Sequence, residues 1–154
     1  MAHEIMLLIA VFVPIIGSFF LPLVGKVCPK SRNLLAFGLV LASFIFSVSL
    51  LPAVLSAKSI VINKQIGIGI SCLFMADNLA VFMACVSSLI STIIILYSFG
   101  YISHYENQNE YYSMVVLFLG SMMGLVFSAN LILLYIFWEI TAITSWRLIG
   151  FFRE

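Results

Sequence analysis

Five long apolar runs follow one another along the chain, and each is close to the length that a membrane-crossing helix needs. About 20 apolar residues span the ~30 Å hydrocarbon core of a bilayer as an α-helix. Only 8% of the residues are charged, against about a quarter in a soluble domain. The sequence therefore predicts an all-α integral membrane protein, a single membrane domain over residues 1–154. Its spans are expected at approximately 5–25, 34–55, 79–103, 111–128 and 131–151.

The connections between the runs predict a hairpin and an orientation. Residues 56–78 include SIVINKQIGIGIS, which alternates in part and has two glycines, so we expect a short extramembrane hairpin there. We expect a multi-pass protein of the cell inner (cytoplasmic) membrane. The positive-inside rule, by which Lys and Arg collect on the cytoplasmic side, favours an N-terminus on the outside. With that orientation, five basic residues lie inside (Lys26, Lys30, Arg32, Arg147 and Arg153) and two lie outside (Lys58 and Lys64).

Several classes of site and partner are not expected. Cys28, Cys72 and Cys85 include no C-x-x-C pair, which argues against a disulfide framework and against an iron–sulfur or zinc site. The net charge of +1 and the lack of a basic block make nucleic acid an unexpected partner. A lone His104 at the end of a run is more typical of a membrane interface than of haem ligation. We therefore expect no cofactor, no metal and no catalytic redox site in this chain.

The side chain that most suggests a function is Glu139, within LILLYIFWEITAITSWRLIGFF. It is the ninth residue of the fifth run. At ~1.5 Å per residue it lies roughly 13 Å along the helix, close to mid-membrane. An ionisable group there is expensive and is a functional hypothesis by default. Burial disfavours the charged form and a nearby cation favours it, so such a carboxyl can take up and release protons. The alternative is a protonated acid that only bonds a neighbouring helix.

Helical geometry indicates which side chains accompany Glu139. Tyr135 and Trp146 fall within about 40° of it on the helical wheel, and each has a polar group that can form a hydrogen bond. Arg147 lies roughly 12 Å further along, so we expect it at the inner interface rather than in an ion pair with Glu139.

Two further patterns concern the packing and hydration of the helices. Gly120 and Gly124 form a G-x-x-x-G pair in the fourth run, which lets another helix approach closely. Hydroxyl side chains in the third run either line a hydrated path or, as is more usual, bond back to their own helix. These are Ser87, Ser88, Ser91 and Thr92.

The stretch NLILLYIFWEITAITSWRLIGF resembles the fifth-helix signature of a family of antiporter-like subunits. That family is shared by respiratory complex I, group 4 membrane-bound hydrogenases and Mrp cation/proton antiporters. FMADNLAVF, ILYSFGYISHYENQNEYY and LGSMMGLVFSANL fit it in the same order, so the resemblance covers most of residues 70–154. It implies that Glu139 is the acidic member of a proton-translocating site, whose partner in the family is a lysine on a later, interrupted helix. Asp77 and His104, in the upstream stretches, join Tyr135 and Trp146 as candidate supporting residues.

The chain departs from the family pattern in two ways. Trp146 and Arg147 stand where the family usually has uncharged residues, and the sequence ends at Glu154, directly after the fifth run. Family members have further helices with buried lysines, whereas no Lys or Arg lies mid-membrane here. We therefore expect a split or truncated subunit, or a fragment of a longer product. Its partners would be other membrane subunits, including a chain that supplies the remaining helices and a buried lysine.

Three functions stay open on these grounds. The leading interpretation is a proton-translocating, non-redox subunit of a complex-I-related NADH dehydrogenase or membrane-bound hydrogenase complex. The alternatives are a subunit of an Mrp-type Na⁺/H⁺ antiporter and a structural assembly subunit with no transport role. Protons are the expected ion, and Na⁺ is an open alternative.

Overall fold

Five long α-helices and one β-hairpin make up the part of the chain that the structure, a computed structural model, describes: residues 2–56, 59–66 and 70–151. Every one of these helices is long and apolar enough to cross a membrane, which confirms the predicted five-helix membrane fold. The elements are α1 Ala2–Val27, α2 Pro29–Leu55, β1 Ile60–Ile66, β2 Ile70–Ala76, α3 Asn78–Tyr101, a 3₁₀ turn Ile102–His104, α4 Gln108–Phe127 and α5 Leu131–Ile149.

The connection between α1 and α2 is a single residue, Cys28. The predicted spans 5–25 and 34–55 leave residues 26–33 as a connection, but α2 begins at Pro29 instead. Proline suits the first position of a helix because its ring presets φ and its missing N–H has no partner to lose there. Lys30 and Arg32 therefore lie on the first turn of α2 rather than in a loop.

Two side chains cap helices whose first N–H groups lack intrahelical partners. Asp77 precedes α3 and accepts a hydrogen bond from the backbone nitrogen of Ala80 at 2.7 Å. Asn130 precedes α5 and accepts one from the backbone nitrogen of Ile132 at 2.9 Å. These caps set where α3 and α5 begin. Because α5 begins directly after Asn130, the connection from α4 to α5 is short.

The hairpin between α2 and α3 confirms the predicted one and packs onto the helix ends. Its two antiparallel strands pair from Ile60 opposite Ala76 to Ile66 opposite Ile70. Phe74 on β2 is buried, and its ring centroid lies 6.2 Å from that of Phe137 on α5. The backbone carbonyl of Leu73 also accepts a hydrogen bond from Ala129, just before α5. The hairpin thus fastens the start of α5 to the bundle.

Helix α4 is the centre of the bundle, with α1, α3 and α5 packed around it. In its most apolar stretch, 56% of the residues are buried, against 17% for α5. The approach of α1 depends on Gly120, because a Cβ built there would lie 2.9 Å from the backbone nitrogen of Ile15. A Cβ on Gly124 would overlap the ring of Phe137 on α5. Hydroxyl–carbonyl bonds join the helices as well, as from Ser113 on α4 to Ser18 on α1 at 2.7 Å.

The two ends of the bundle differ in polarity. The hairpin lies at one end, and at the other Arg32 bonds to Asn109 while Arg147 pairs with Glu110. Which end faces the cytoplasm stays a prediction. Of the basic residues on which the predicted orientation depends, Lys58 and Arg153 lie outside the described residues, and so does the side chain of Lys64.

Candidate functional site

Glu139 lies on the exposed face of α5, in the middle of the helix. The hydroxyl of Tyr135, one turn earlier, donates a hydrogen bond to its carboxylate. Side chains four residues apart are neighbours on a helix surface, which is why this pair meets. Trp146 is exposed on the same helix, with 58% of its surface accessible.

The opposite face of α5 fixes the direction in which Glu139 points. Phe137 and Thr144 are buried, and the hydroxyl of Thr141 donates to that of Ser121 on α4 at 2.9 Å. Glu139 is two residues from Phe137, hence about 200° further round the helix. Because these contacts turn one side of α5 towards α4, they turn Glu139 away from it.

No Lys or Arg within the described residues forms an ion pair with Glu139. Arg147, the other charged side chain of α5, pairs instead through its Nε with Glu110 on the first turn of α4. The side chains of Arg147 and Glu110 are 48% and 34% exposed. Arg147 therefore holds the end of α5 against α4 and leaves the mid-helix carboxylate without a described counter-charge.

The other candidate supporting residues lie at the two ends of the bundle. Asp77 caps α3 at the hairpin end. His104 is exposed in the 3₁₀ turn at the opposite end. Among the residues that the structure describes, no hydrogen bond or ion pair joins either of them to Glu139. Of the candidate supporting residues, the structure joins Tyr135 to the carboxylate by a hydrogen bond.

The hydroxyls of α3 bond mainly to the backbone of their own helix. Ser88 donates to the carbonyl of Ala84 at 2.6 Å, and Thr92 donates to that of Ser88 at 2.7 Å. Hydroxyl side chains in membrane helices commonly satisfy themselves in this way. The hydroxyl hydrogens of Ser88 and Thr92 are therefore engaged locally, and within the described residues no continuous chain of hydrogen bonds leads from them to Glu139.

A second polar cluster was not singled out from the sequence. Arg32 on α2 is 2% exposed and donates to Asn109 Oδ1 at 2.6 Å and to Gln108 Oε1 at 2.8 Å. It also donates to Asn33 Oδ1, and its guanidinium lies 4.8 Å from the ring centroid of Tyr112. We call these five residues the Arg32 cluster. The only sequence signal was a basic residue three positions after Pro29, which also fits a loop.

Comparison with known proteins identifies a matching family model and similar sequences. The family model described as "NADH-Ubiquinone oxidoreductase (complex I), chain 5 N-terminus" matches residues 65–112. "Na(+)/H(+) antiporter subunit A1" of Staphylococcus haemolyticus is 32% identical over 149 residues, and that of Staphylococcus aureus is 30% identical over the same length. The aligned region is 95% of this chain and 19% of each relative, so the chain spans about a fifth of their length.

Two solved structures share the fold. The membrane-bound sulfane sulfur reductase, an archaeal respiratory membrane complex, matches 98% of this chain and 31% of its own chain, with a TM-score of 0.88 and 20% identity. The Mrp complex from Dietzia sp. DQ12-45-1b matches 99% of this chain and 16% of its own, with a TM-score of 0.77 and 20% identity.

These findings define the class first: the chain is a multi-pass, antiporter-like membrane subunit. Within that class, the chain resembles the N-terminal part, through the fifth helix, of the antiporter-like subunits related to complex I and to Na⁺/H⁺ antiporters. The family resemblance predicted from the sequence is confirmed.

Proposed function

We propose that this chain forms part of a proton-translocating module in which Glu139 takes up and releases protons inside the membrane. The observation that carries the proposal is a carboxylate in the middle of a membrane-crossing helix, on a face that no described helix covers. Placing a carboxylate there is costly, so its presence calls for a role.

The contacts of α5 argue against a role in joining α4 and α5. A hydrogen bond between these helices runs from Thr141 to Ser121, and the ring of Phe137 packs directly against Gly124. A residue that joined the two helices would point into this interface, whereas Glu139 points away from it. Tyr135 orients the carboxylate from within the same helix and leaves its other oxygen positions open to a proton donor.

The proposal includes a covering partner. Ile136, Trp138 and Ile143 surround Glu139 with large side chains that are 48%, 59% and 59% exposed. A further helix, from this polypeptide or another membrane subunit, would cover this face. A lysine on that helix would lower the cost of the carboxylate by pairing with it. We place the assembly in the bacterial cytoplasmic membrane.

Two assemblies fit this role, and a different observation favours each. The named relatives are subunits of Na⁺/H⁺ antiporters, which favours an Mrp-type complex that exchanges protons for Na⁺. The family model is named after complex I, which favours a complex whose proton movement is driven by electron transfer. The role of Glu139 is the same in both, and only the energy source differs.

The test measures proton movement and complex assembly in the same everted vesicles from cells that carry the native complex. A fluorescent pH-gradient probe follows proton flux after a pulse of Na⁺ or of an electron donor. The variants are Glu139→Gln, Glu139→Asp and the control Glu106→Gln, which removes an exposed carboxylate outside the helices. A native gel measures complex yield.

We expect Glu139→Gln to abolish coupled flux at normal complex yield, Glu139→Asp to keep part of it, and Glu106→Gln to resemble the unchanged protein. Proton flux after the Na⁺ pulse would identify a Na⁺/H⁺ antiporter complex, and flux after the electron donor would identify a complex driven by electron transfer. Normal flux in an assembled Glu139→Gln complex would instead assign the chain a structural role.

A further inference from the structure

A cavity of about 570 Å³ opens at the end of the bundle where α1 meets α2 and α4 begins. Its charged and amide side chains are Lys26, Arg32, Asn107, Gln108, Asn109 and Glu110. They belong to the last turn of α1, the first turns of α2 and α4, and the residue that precedes α4, so the cavity lies where membrane helices end and lipid headgroups begin.

The charge of Arg32 is not neutralised within the described residues. Its hydrogen-bond acceptors are the amide oxygens of Asn33, Gln108 and Asn109, which carry no net charge. Glu110, the carboxylate that lines the cavity, forms its ion pair with Arg147. A buried charge without an opposite charge is unfavourable, so the site is electrostatically incomplete.

Hydrogen-bond donors are left over in the same place. A guanidinium has five N–H groups, and Arg32 uses four of them on amide oxygens, which leaves one at Nη1. Asn109 accepts from Arg32 with Oδ1, and within the described residues its Nδ2 has no acceptor. The exposed ammonium of Lys26 adds a second cation. The groups left over are thus hydrogen-bond donors on Arg32, Asn109 and Lys26, and two of these side chains, Arg32 and Lys26, are cations.

Gly25 keeps this arrangement possible. A Cβ there would overlap Asn109 Oδ1 and would lie 2.9 Å from Arg32 Cδ, so only glycine lets α1 come this close. The donors are consequently held by three helices rather than by one flexible side chain.

We propose that this cavity binds the phosphate of an anionic phospholipid headgroup, with Arg32 Nη1, Asn109 Nδ2 and Lys26 as its donors. Basic pockets between membrane helices recognise such headgroups by supplying the opposite charge at the interface. The bound phosphate would give Arg32 the counter-charge that the described residues lack. The site is separate from Glu139 and does not depend on its role.

Two substitutions and a matched control test the site without removing Arg32. Asn109→Asp keeps the side-chain shape and gives Arg32 an internal carboxylate, which should exclude the phosphate. Lys26→Gln removes one exposed cation. The control, Lys30→Gln, removes an exposed cation of the neighbouring turn that does not line the cavity.

The measurement is calorimetric titration of the purified chain in a non-ionic detergent, with circular dichroism to check the fold of each variant. The ligands are dihexanoyl phosphatidylglycerol, dihexanoylglycerol and inorganic phosphate. We expect the phosphatidylglycerol alone to bind detectably. Its Kd should rise about tenfold in Asn109→Asp and up to about fivefold in Lys26→Gln, with no change in Lys30→Gln.

The other results overturn the proposal. Equal binding of dihexanoylglycerol would show that the acyl chains, not the phosphate, are recognised. Inorganic phosphate that binds as tightly as the lipid would remove the assignment to a headgroup. An unchanged Kd in a folded Asn109→Asp variant would exclude Arg32 and Asn109 as the binding groups.

Discussion

Replacing glycines by alanine tests the packing of α4, because the structure gives four helical glycines very different surroundings. At Gly120, the new Cβ would lie 2.9 Å from the backbone nitrogen of Ile15, so α1 itself would have to move. At Gly38 on α2 and Gly100 on α3, nothing lies within 4 Å of the new atom. Gly124 is intermediate, because the overlapping atoms belong to a side chain, the ring of Phe137.

The expected magnitudes follow from two opposing effects. Alanine favours a helix over glycine by up to about 1 kcal/mol, so Gly38→Ala and Gly100→Ala should be neutral or stabilising. Overpacking costs about 1–3 kcal/mol and applies to Gly120 and Gly124. We therefore expect the free energy of unfolding of Gly120→Ala to lie about 1–3 kcal/mol below that of Gly38→Ala. For Gly124→Ala we expect a smaller difference, since the Phe137 ring can shift further than a backbone.

Unfolding by sodium dodecyl sulfate in mixed micelles measures these differences. The chain has two tryptophans, Trp138 and Trp146, both on α5, so fluorescence reports directly when α5 leaves the bundle. Circular dichroism of the same samples follows helix content. If Gly120→Ala proved as stable as Gly38→Ala, the close approach of α1 to α4 described above would be wrong.

Three further predictions use single side chains. Tyr135→Phe removes the hydrogen bond to Glu139, so coupled proton flux should fall several-fold at normal complex yield; unchanged flux would mean that this bond has no functional part. Thr141→Val removes the interhelical bond, and the free energy of unfolding should fall by only about 0.6 kcal/mol in the same micelle assay. Hydrogen bonds from the side chain and backbone of Ser31 lower the pKa of the exposed Cys28 thiol, so more thiolate is present at neutral pH. A membrane-impermeant maleimide should therefore label Cys28 quickly in everted vesicles and not in right-side-out ones, and the reverse would invert the predicted orientation.

The helices were predictable because a bilayer imposes a length and a polarity on them, and both are visible in the sequence. The five membrane spans could be predicted from the apolar runs without tertiary information. The hairpin could be predicted too, because its partly alternating polarity and its glycines contrast with the apolar runs on either side. The start of α2 was not predictable in the same way. Pro29, Lys30 and Arg32 have the composition of a loop, and only the preference of proline for a first helical position distinguishes the two cases.

The candidate site was predictable in part. The presence of Glu139 in an apolar run and its contact with Tyr135 follow from composition and helix periodicity. Which face of α5 packs against α4 depends on Gly124 and Ser121 of α4, so the sequence of α5 alone does not reveal it. The burial of Arg32 was not predictable, since its partners on α4 are 76 and 77 residues away in sequence.

The most direct test of the central claim is whether the carboxyl of Glu139 itself changes protonation. Infrared difference spectra of the assembled complex distinguish the C=O stretch of a protonated carboxylic acid from the bands of a carboxylate. We expect a protonated carboxyl band that appears and disappears reversibly when a pulse of Na⁺ or of an electron donor drives the complex. It should be absent from Glu139→Gln and unaffected in Glu106→Gln. A spectrum of Glu139→Gln that retains the same reversible band would contradict the assignment of Glu139 as the proton carrier.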